Sequence, residues 1–186
     1  HLHYLHHLHH PYWHLQPLKI QYLHVLHLLL QDLKLNQQLR NSAGTFVVAE
    51  IGHNHQGSVE QARAMILAAK ELGANAVKLQ KRSNKTLFVK ELYDQPYDNK
   101  NSYGATYGEH REALELSREE YVELQSYAKK LDIMLFATPF DFESVDFLAD
   151  LDMPAYKIAS ADLNNTPLQR YVAKLGKPIF LSTGGG

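Results

Sequence analysis

The sequence contains no cysteine in 186 residues. This absence excludes disulfide bonds, thiolate metal sites and a cysteine nucleophile, and it fits a reducing compartment, so we expect a cytoplasmic protein. An excess of one charge is also lacking, since the formal net charge is −1. We therefore expect neither a nucleic-acid nor a membrane partner, because both classes usually need a broad basic surface. No apolar run is long enough to span a bilayer.

Acidic residues are almost absent from the start of the chain, where histidine and leucine predominate. Residues 1–42 contain nine of the twelve histidines and a single acid, Asp32. Such a tract can bind metal, but nothing in it fixes a ligand geometry. Residues 19–40 could alternatively form an amphipathic helix. We expect residues 1–44 to be disordered or foreign to the fold, and residues 45–186 to form the folded domain.

Beyond residue 44 the chain alternates between short apolar runs and helical periods. Strands are predicted at residues 46–52, 75–80, 133–140, 154–160 and 177–185. Helices are predicted from Ser58 and Ser117, each with a capping box, around 142–151, and from Thr166 to Leu175. An insertion rich in Gly, Pro and Asn occupies residues 84–117. The strict alternation of strand and helix predicts a parallel sheet with right-handed crossovers.

A dinucleotide-binding G-x-G-x-x-G motif is missing after the first predicted strand, which weakens a Rossmann interpretation. Polar residues instead stand at the carboxyl ends of five successive strands: Glu50, Lys78 with Gln80, Thr138, Lys157 with Ser160, and Ser182. Barrel enzymes carry their chemistry at this end of their strands. We therefore predict an α/β fold, a (β/α)8 TIM barrel of which about the first five βα units are present.

Two lysines in this polar set indicate an anionic substrate. Alternation places Lys78 and Gln80 on one strand face, and Lys157 on the corresponding face of its strand. Buried ammonium groups are costly without an anion, and phosphate or carboxylate would serve. Two alternatives remain open: each lysine could pair with an internal acid, or Lys157 could form a Schiff base with a carbonyl substrate.

The remaining polar residues supply hydroxyl and carboxyl groups. Thr138, Ser160 and Ser182 offer hydroxyl donors, although Thr138 and Ser182 could merely cap the following turns. Glu50 and Asp162 are the candidate catalytic acids, available for proton transfer or for binding sugar hydroxyls.

Six ordered motifs carry a family resemblance: AEIGHNHQG (49–57), VKLQ (77–80), NSYGATYGEHREALELS (101–117), FATPFD (136–141), YKIASADLNNTPL (156–168) and GKPIFLSTGGG (176–186). Together they resemble the catalytic barrel of N-acetylneuraminate (sialic acid) synthases. The resemblance implies condensation of phosphoenolpyruvate with N-acetylmannosamine or a related amino sugar. It further implies a homodimer and a Mn²⁺ or Mg²⁺ cofactor.

The resemblance also implies residue roles. Lys78, Thr138, Lys157, Ser160 and Ser182 are similar to the family's phosphoenolpyruvate-binding residues. Glu50, Gln80, Asn101 and Asp162 correspond to contacts with the sugar or the reacting centre. Asp162 departs from the pattern, because many relatives carry the longer Glu there. His53 occupies a variable position, and we expect it to be incidental.

The resemblance further implies that the family's metal-binding histidines lie on later strands, so no metal ligand is expected in this chain. We accordingly expect an incomplete barrel that is inactive in isolation, with activity restored in the full-length enzyme. The alternative is a short product that acts only as a binding module.

Overall fold

The computed structural model describes residues 45–184, which form a five-stranded parallel sheet with the strand order β1-β2-β3-β4-β5. The strands are β1 (Val48–Gly52), β2 (Ala76–Lys81), β3 (Met134–Pro139), β4 (Tyr156–Ile158) and β5 (Ile179–Leu181). Each strand pairs with the next one along the chain. The predicted parallel α/β architecture is confirmed, and the predicted segment at residues 1–44 lies outside the described residues.

Helices follow the strands, as the alternating pattern predicts. They are α1 (Val59–Glu71), α2 (Asn84–Leu87), α3 (Lys90–Tyr93), α4 (Tyr107–Glu112), α5 (Arg118–Lys130), α6 (Phe142–Ala149) and α7 (Thr166–Ala173). A 3₁₀ turn, Ser160–Asp162, follows β4. The insertion between β2 and α5 therefore holds three short helices and is more ordered than its composition indicates.

Two strands are shorter than predicted. β4 and β5 have three residues each, because Pro154 and Pro178 cannot donate to the ladder at their amino ends. At its carboxyl end β4 is replaced by the turn that begins at Ser160.

The helix starts show which capping predictions hold. Ser117 accepts from the backbone of Glu120, whose side chain accepts from the Ser117 N–H, so this capping box is confirmed. At α1, Ser58 Oγ accepts from Gln61 N at 3.2 Å, but Gln61 Nε2 donates to Asn54 O instead of completing a box. The predicted reciprocal box at Ser58 is therefore wrong, since an amide in place of Glu can donate to a carbonyl elsewhere.

The main hydrophobic core lies between the sheet and its helices. Its largest buried members include Ile66 of α1, Leu79 of β2, and Tyr121 and Leu124 of α5. The opposite sheet face carries a smaller apolar cluster in which the Phe180 ring stacks on Phe136 with centroids 5.1 Å apart. Alternation along each strand thus assigns one residue set to the helices and the other to an inner face.

The insertion packs against the loop that follows β1. Gly57 in this loop has φ +78°, and a Cβ there would overlap the carbonyl oxygen of Ala113. Glycine is therefore required at position 57, both for its backbone conformation and for this close approach. The contact brings α4 beside the carboxyl ends of β1 and β2.

No helix within residues 45–184 combines the length and apolarity needed to cross a membrane.

Candidate active site

Three predicted site residues meet on the inner face of the sheet. Lys78 of β2 is only 7% exposed, and its Nζ donates to Thr138 Oγ1 of β3 at 2.9 Å. The same ammonium group forms an ion pair with Glu50. Strand register explains the meeting, because Glu50 is the β1 partner of Lys78 and Thr138 is the β3 partner of Gln80.

A second lysine enters this site from β4. Its neighbours Tyr156 and Ile158 are buried on the helix side, so Lys157 extends from the inner face. Lys157 Nζ donates to Ile158 O at 2.6 Å. Burial lowers the pKa of Lys157, and repulsion by the Lys78 ammonium group lowers it further, whereas Glu50 acts in the opposite direction. The Lys78 and Lys157 ammonium groups thus both interact with a single carboxylate, that of Glu50.

Ser182 is placed close to this lysine by the backbone. Its N–H donates to Ile158 O at 3.1 Å, the same carbonyl that Lys157 Nζ contacts. Ser160 begins the turn after β4 and is exposed. Within residues 45–184 no hydrogen bond joins either serine hydroxyl to a lysine of the site, so both serines lie at its edge with their hydroxyls unengaged by it.

Asp162 is bound within its own turn. Its Oδ1 accepts from Asn165 Nδ2 at 3.0 Å, and its backbone oxygen accepts from Gln169 Nε2 at 2.9 Å. These contacts orient the carboxylate on the loop after β4. In the part of the chain that the structure describes, it forms no hydrogen bond or ion pair with Glu50 or either lysine.

Gln80 lies beside Glu50 at the carboxyl end of β2. Both side chains lie over Gly52: a Cβ added there would be 3.2 Å from Glu50 Oε1 and 3.4 Å from Gln80 Nε2. Gly52 also has a positive φ of +57°, a backbone conformation that favours glycine. Gln80 Oε1 in turn accepts from Arg82 Nη1 at 2.8 Å. Gln80 therefore links the lysine site to the residues above it.

Asn101 is a predicted site residue that lies away from the others in the structure. It lies in an exposed loop of the insertion, where its N–H donates to Asn99 Oδ1 at 2.9 Å. Within the described residues it contacts none of the other predicted site residues, so its role remains a prediction.

A polar cluster beyond Gln80 was missed by sequence reasoning and is built around His53. His53 Nε2 lies 3.2 Å from Glu115 Oε1, and Nδ1 faces Arg82 Nη1 at 3.4 Å and Arg111 Nη2 at 3.3 Å. Glu115 also pairs with Lys81 at 2.9 Å. His53 is therefore a fixed member of this cluster and not incidental. The spacing of two residues between His53 and His55 did not indicate this cluster. The spacing of two between Gln80 and Arg82, however, could have indicated that both side chains lie on the same side of the strand.

Charges within the cluster shift two pKa values. Burial alone would raise the pKa of Glu115, but the His53 hydrogen bond and the Lys81 charge outweigh it and lower that pKa. The pKa of Arg82 falls to about 10, because burial and the nearby Arg111 charge outweigh Glu115, Tyr107 and Asp141. Arg82 and Glu115 therefore both stay charged at neutral pH, and the Arg111 charge repels that of Arg82.

The other histidine of the β1 loop has a structural role. His55 is 1% exposed, and its Nδ1 accepts from Gly57 N at 3.1 Å. Burial, and then the charge of His53, lower the pKa of His55 to about 4, so the ring is neutral near pH 7. It holds the turn that receives the insertion.

The described residues do not fit a metal site. No group of three histidine, aspartate or glutamate side chains within residues 45–184 could hold an ion. His53 is engaged at both ring nitrogens, and His55 Nδ1 serves the backbone. The expected Mn²⁺ or Mg²⁺ thus stays a prediction for the full-length protein.

A cavity of about 340 Å³ is lined in part by Arg82. Lys81, Lys85 and Phe147 contribute to its wall. Two further lining residues, Asn84 and Ser144, are each 1% exposed, and their side chains lack hydrogen-bond partners within the described chain. Polar atoms buried in this way are commonly satisfied by ordered water.

Comparison with known proteins identifies the relatives of this chain. The sequence is 44% identical over 139 residues to N-acetylneuraminate-9-phosphate synthase of Mus musculus, covering 75% of this chain and 39% of the relative. It is 37% identical over 145 residues to N,N'-diacetyllegionaminic acid synthase of Legionella pneumophila, covering 77% of this chain and 41% of the relative. The chain thus spans about two fifths of the length of these curated relatives.

A solved structure shares the fold. The N-acetylneuraminic acid synthetase of Leptospira borgpetersenii, crystallised with citrate, superposes with a TM-score of 0.62 and 29% identity, over 76% of this chain and 45% of that one. The sequence profile of the NeuB family matches residues 65–186. With this structural similarity and a matching profile over most of its length, this chain belongs to the NeuB family.

Proposed function

We propose that the full-length protein condenses phosphoenolpyruvate with N-acetylmannosamine or a related amino sugar, giving a nonulosonic acid and phosphate. The observation that carries the proposal is the pair Lys78 and Lys157 on one inner face with a single carboxylate, Glu50, between their charges. One positive charge is left over, and phosphoenolpyruvate carries both a phosphate and a carboxylate.

The proposed chemistry forms one C–C bond and breaks one C–O bond. The enol carbon of phosphoenolpyruvate attacks the sugar aldehyde, a water molecule adds at the neighbouring carbon, and phosphate leaves. Lys78 and Lys157 would hold the anionic groups, with Thr138 orienting the Lys78 ammonium group. Ser160 and Ser182 would donate to the same anion from the edge of the site.

Two acids and two amides would serve the other substrate. Glu50, which forms an ion pair with Lys78, would exchange a proton with the attacking water. Gln80, beside Glu50, would contact the sugar. Asp162 and Asn101 would do so from the loop after β4 and from the insertion, which requires that these segments approach a bound sugar.

The architecture of the whole protein is part of the proposal. We propose a (β/α)8 barrel that begins with these five units, since the sheet is parallel and sequentially ordered and the aligned segments cover only 39% and 41% of two relatives. A Mn²⁺ or Mg²⁺ site on further strands, a homodimer and a cytoplasmic location complete it. Residues 1–44 would lie outside this domain.

A Schiff-base reaction at Lys157 is the second candidate. The lowered pKa of Lys157 favours it, because a neutral amine is the nucleophile in imine formation. The hydrogen bond from its Nζ to Ile158 O and the nearby Lys78 favour anion binding instead. Borohydride treatment in the presence of pyruvate and sugar distinguishes the two, since only an imine is trapped as a stable adduct at Lys157.

The proposed function is tested by product analysis. The full-length protein is incubated with phosphoenolpyruvate, N-acetylmannosamine and Mn²⁺, and phosphate release and product mass are followed. We expect stoichiometric phosphate and a nine-carbon sugar acid, with no borohydride adduct. Phosphate release without a carbon–carbon product, or a covalent adduct at Lys157, would overturn the proposal.

The relatives leave the chemical state of the sugar open. The Mus musculus and Homo sapiens proteins are named for a 9-phosphate product, whereas those of Legionella pneumophila and Campylobacter jejuni are named for unphosphorylated acids.

A further inference from the structure

The side-chain amide of Gln80 is oriented by its contact with Arg82. Gln80 lies in β2 and Arg82 just beyond it, and Gln80 Oε1 accepts from Arg82 Nη1 at 2.8 Å. A guanidinium group has only N–H donors, so the amide atom that faces it has to be the oxygen. The amide nitrogen, Nε2, is therefore left for a partner other than Arg82.

The amide nitrogen of Gln80 borders the candidate site. A Cβ added at Gly52 would be 3.4 Å from Gln80 Nε2 and 3.2 Å from Glu50 Oε1, so both groups border the same space. Glu50 in turn forms the ion pair with Lys78. Within residues 45–184 no acceptor forms a hydrogen bond with Gln80 Nε2. In this part of the chain, Gln80 thus presents two unengaged N–H donors beside the groups proposed to act on the substrates.

Arg82 is itself held in place by several contacts. Its Cζ lies 3.6 Å from the centroid of the Phe140 ring, and Nη1 lies 3.4 Å from His53 Nδ1. Its backbone N–H donates to Glu115 Oε2 at 3.3 Å. Burial and neighbouring charges leave the pKa of Arg82 at about 10, so the group is charged at neutral pH. A fixed and charged donor therefore faces the Gln80 oxygen.

Loss of the Arg82 contact would release the Gln80 amide towards a competing acceptor. Without a donor at its oxygen, the amide group can rotate about the terminal side-chain torsion, which has no single preferred angle. The Glu50 carboxylate borders the same space and could then accept from Nε2. A donor engaged by Glu50 is not available to a substrate. The Arg82 contact therefore keeps the Gln80 donors available.

We propose that Arg82 is a positioning residue, which holds Gln80 Oε1 so that the Nε2 donors of Gln80 are directed at an oxygen of the bound substrate. The inference rests on the proposed function, in which Gln80 contacts the amino sugar, and it assigns a role to a residue outside that contact. Donors that are oriented before the substrate arrives need little reorganisation on binding. Arg82 thus acts on the substrate only through Gln80.

A double-mutant cycle on the full-length protein tests this role. KM for N-acetylmannosamine is measured at saturating phosphoenolpyruvate in the wild type, Arg82→Met, Gln80→Ala and the double variant. We expect Arg82→Met to raise this KM about five- to tenfold, because Gln80 no longer holds its donors in place. In the Gln80→Ala background the same substitution should change KM less than about twofold, because no amide remains to be oriented. KM for phosphoenolpyruvate should change less than about twofold after Arg82→Met.

Additive effects would overturn the proposal. If Arg82→Met raises KM by the same factor with and without Gln80, Arg82 acts on the sugar directly or through the fold. Arg82→Lys keeps a charged donor for Gln80 Oε1, so its KM should lie between those of the wild type and Arg82→Met. Arg170→Met removes an exposed arginine of α7 and should leave KM unchanged in both backgrounds. If thermal melts show that Arg82→Met does not fold, Arg82→Gln, a shorter polar replacement, takes its place in the cycle.

Crystal structures of the full-length wild type and Arg82→Met keep this test apart from that of the proposed function, because they require no turnover. We expect Gln80 Oε1 to contact Arg82 in the wild type, and the Gln80 side chain to change conformation in the variant. An unchanged Gln80 conformation would reject the positioning role even if the wild type turns over both substrates. The expected change in a protein without turnover would reject the proposed function and still support the orientation of Gln80 by Arg82.

Discussion

The ammonium group of Lys78 lies 2.9 Å from the hydroxyl oxygen of Thr138, so a side-chain hydrogen bond links β2 to β3 on the inner face of the sheet. Both side chains are buried, and the third partner of this contact, Glu50, comes from β1. Three adjacent strands therefore fix the position of one cation. A fixed cation costs little reorganisation when an anion arrives.

Replacing Thr138 with valine should weaken phosphoenolpyruvate binding moderately. Valine keeps the shape but removes the oxygen that orients Lys78, while Glu50 still pairs with it. We expect KM for phosphoenolpyruvate in the full-length protein to rise about three- to tenfold. Steady-state kinetics measure this, with Thr86→Val on the exposed surface of α2 as the control. An unchanged KM would show that Thr138 does not orient the lysine.

Period-two alternation predicted that Lys78 and Gln80 share one face of their strand, and the regular β2 agrees with this. Glu50 and Thr138 were predicted only by their place at the carboxyl ends of β1 and β3, and the strand register sets them beside Lys78 and Gln80. The parallel sheet followed in the same way from strand–helix alternation. Local patterns therefore predicted both the architecture and the position of the first lysine.

The His53 cluster could not be predicted from local patterns. Arg111 meets His53 across 58 residues of sequence, and Lys81 meets Glu115 across 34. Those contacts depend on how the insertion folds back over the β1 loop, and no periodicity describes that. Strands β4 and β5 were predicted too long because the predicted ranges included Pro154 and Pro178, which cannot donate to the ladder.

The capping box at α5 provides a stability test. Ser117→Ala removes the side-chain acceptor for Glu120 N, and we expect a loss of about 1 kcal/mol in the free energy of unfolding. Ser126→Ala, at an exposed position within the same helix, should be neutral or slightly stabilising. Urea denaturation measures both, and equal effects of the two variants would argue against the cap.

A buried tyrosine hydroxyl forms a hydrogen bond that connects α5 to β2. Tyr121 is 1% exposed, and its hydroxyl donates to Gln80 O at 3.0 Å. Tyr121→Phe should lower the free energy of unfolding by roughly 0.5–1.5 kcal/mol, because the carbonyl loses its side-chain donor. Tyr103→Phe removes a hydroxyl from a side chain that is 47% exposed and should have no measurable effect in the same experiment.

His55 should make the fold less stable in mild acid. Its pKa is about 4 in the folded chain and 6.5 when unfolded, so between these values the unfolded state binds the extra proton. Its stabilising contribution is complete above about pH 6.5 and is lost as pH falls towards 4, by at most about 1.4 kcal/mol per pH unit.

The variant His55→Gln isolates this contribution. Wild type should be the more stable protein near pH 7, and its advantage over the variant should shrink between about pH 6.5 and 4.5. Unfolding free energies from urea titrations at several pH values measure the difference, and the remaining histidines cancel in the comparison. A difference that stays constant with pH would mean that His55 titrates alike in both states.

The most direct test of the central claim is the KM for each substrate after Lys78→Met in the full-length protein. Methionine keeps the unbranched side chain up to Cε and removes the buried charge, while Lys129→Met on the exposed face of α5 is the matched control. If Lys78 anchors phosphoenolpyruvate, its KM rises at least about tenfold, the amino-sugar KM changes less than about twofold, and the control matches wild type. An unchanged phosphoenolpyruvate KM, or equal losses for both substrates, would contradict the account.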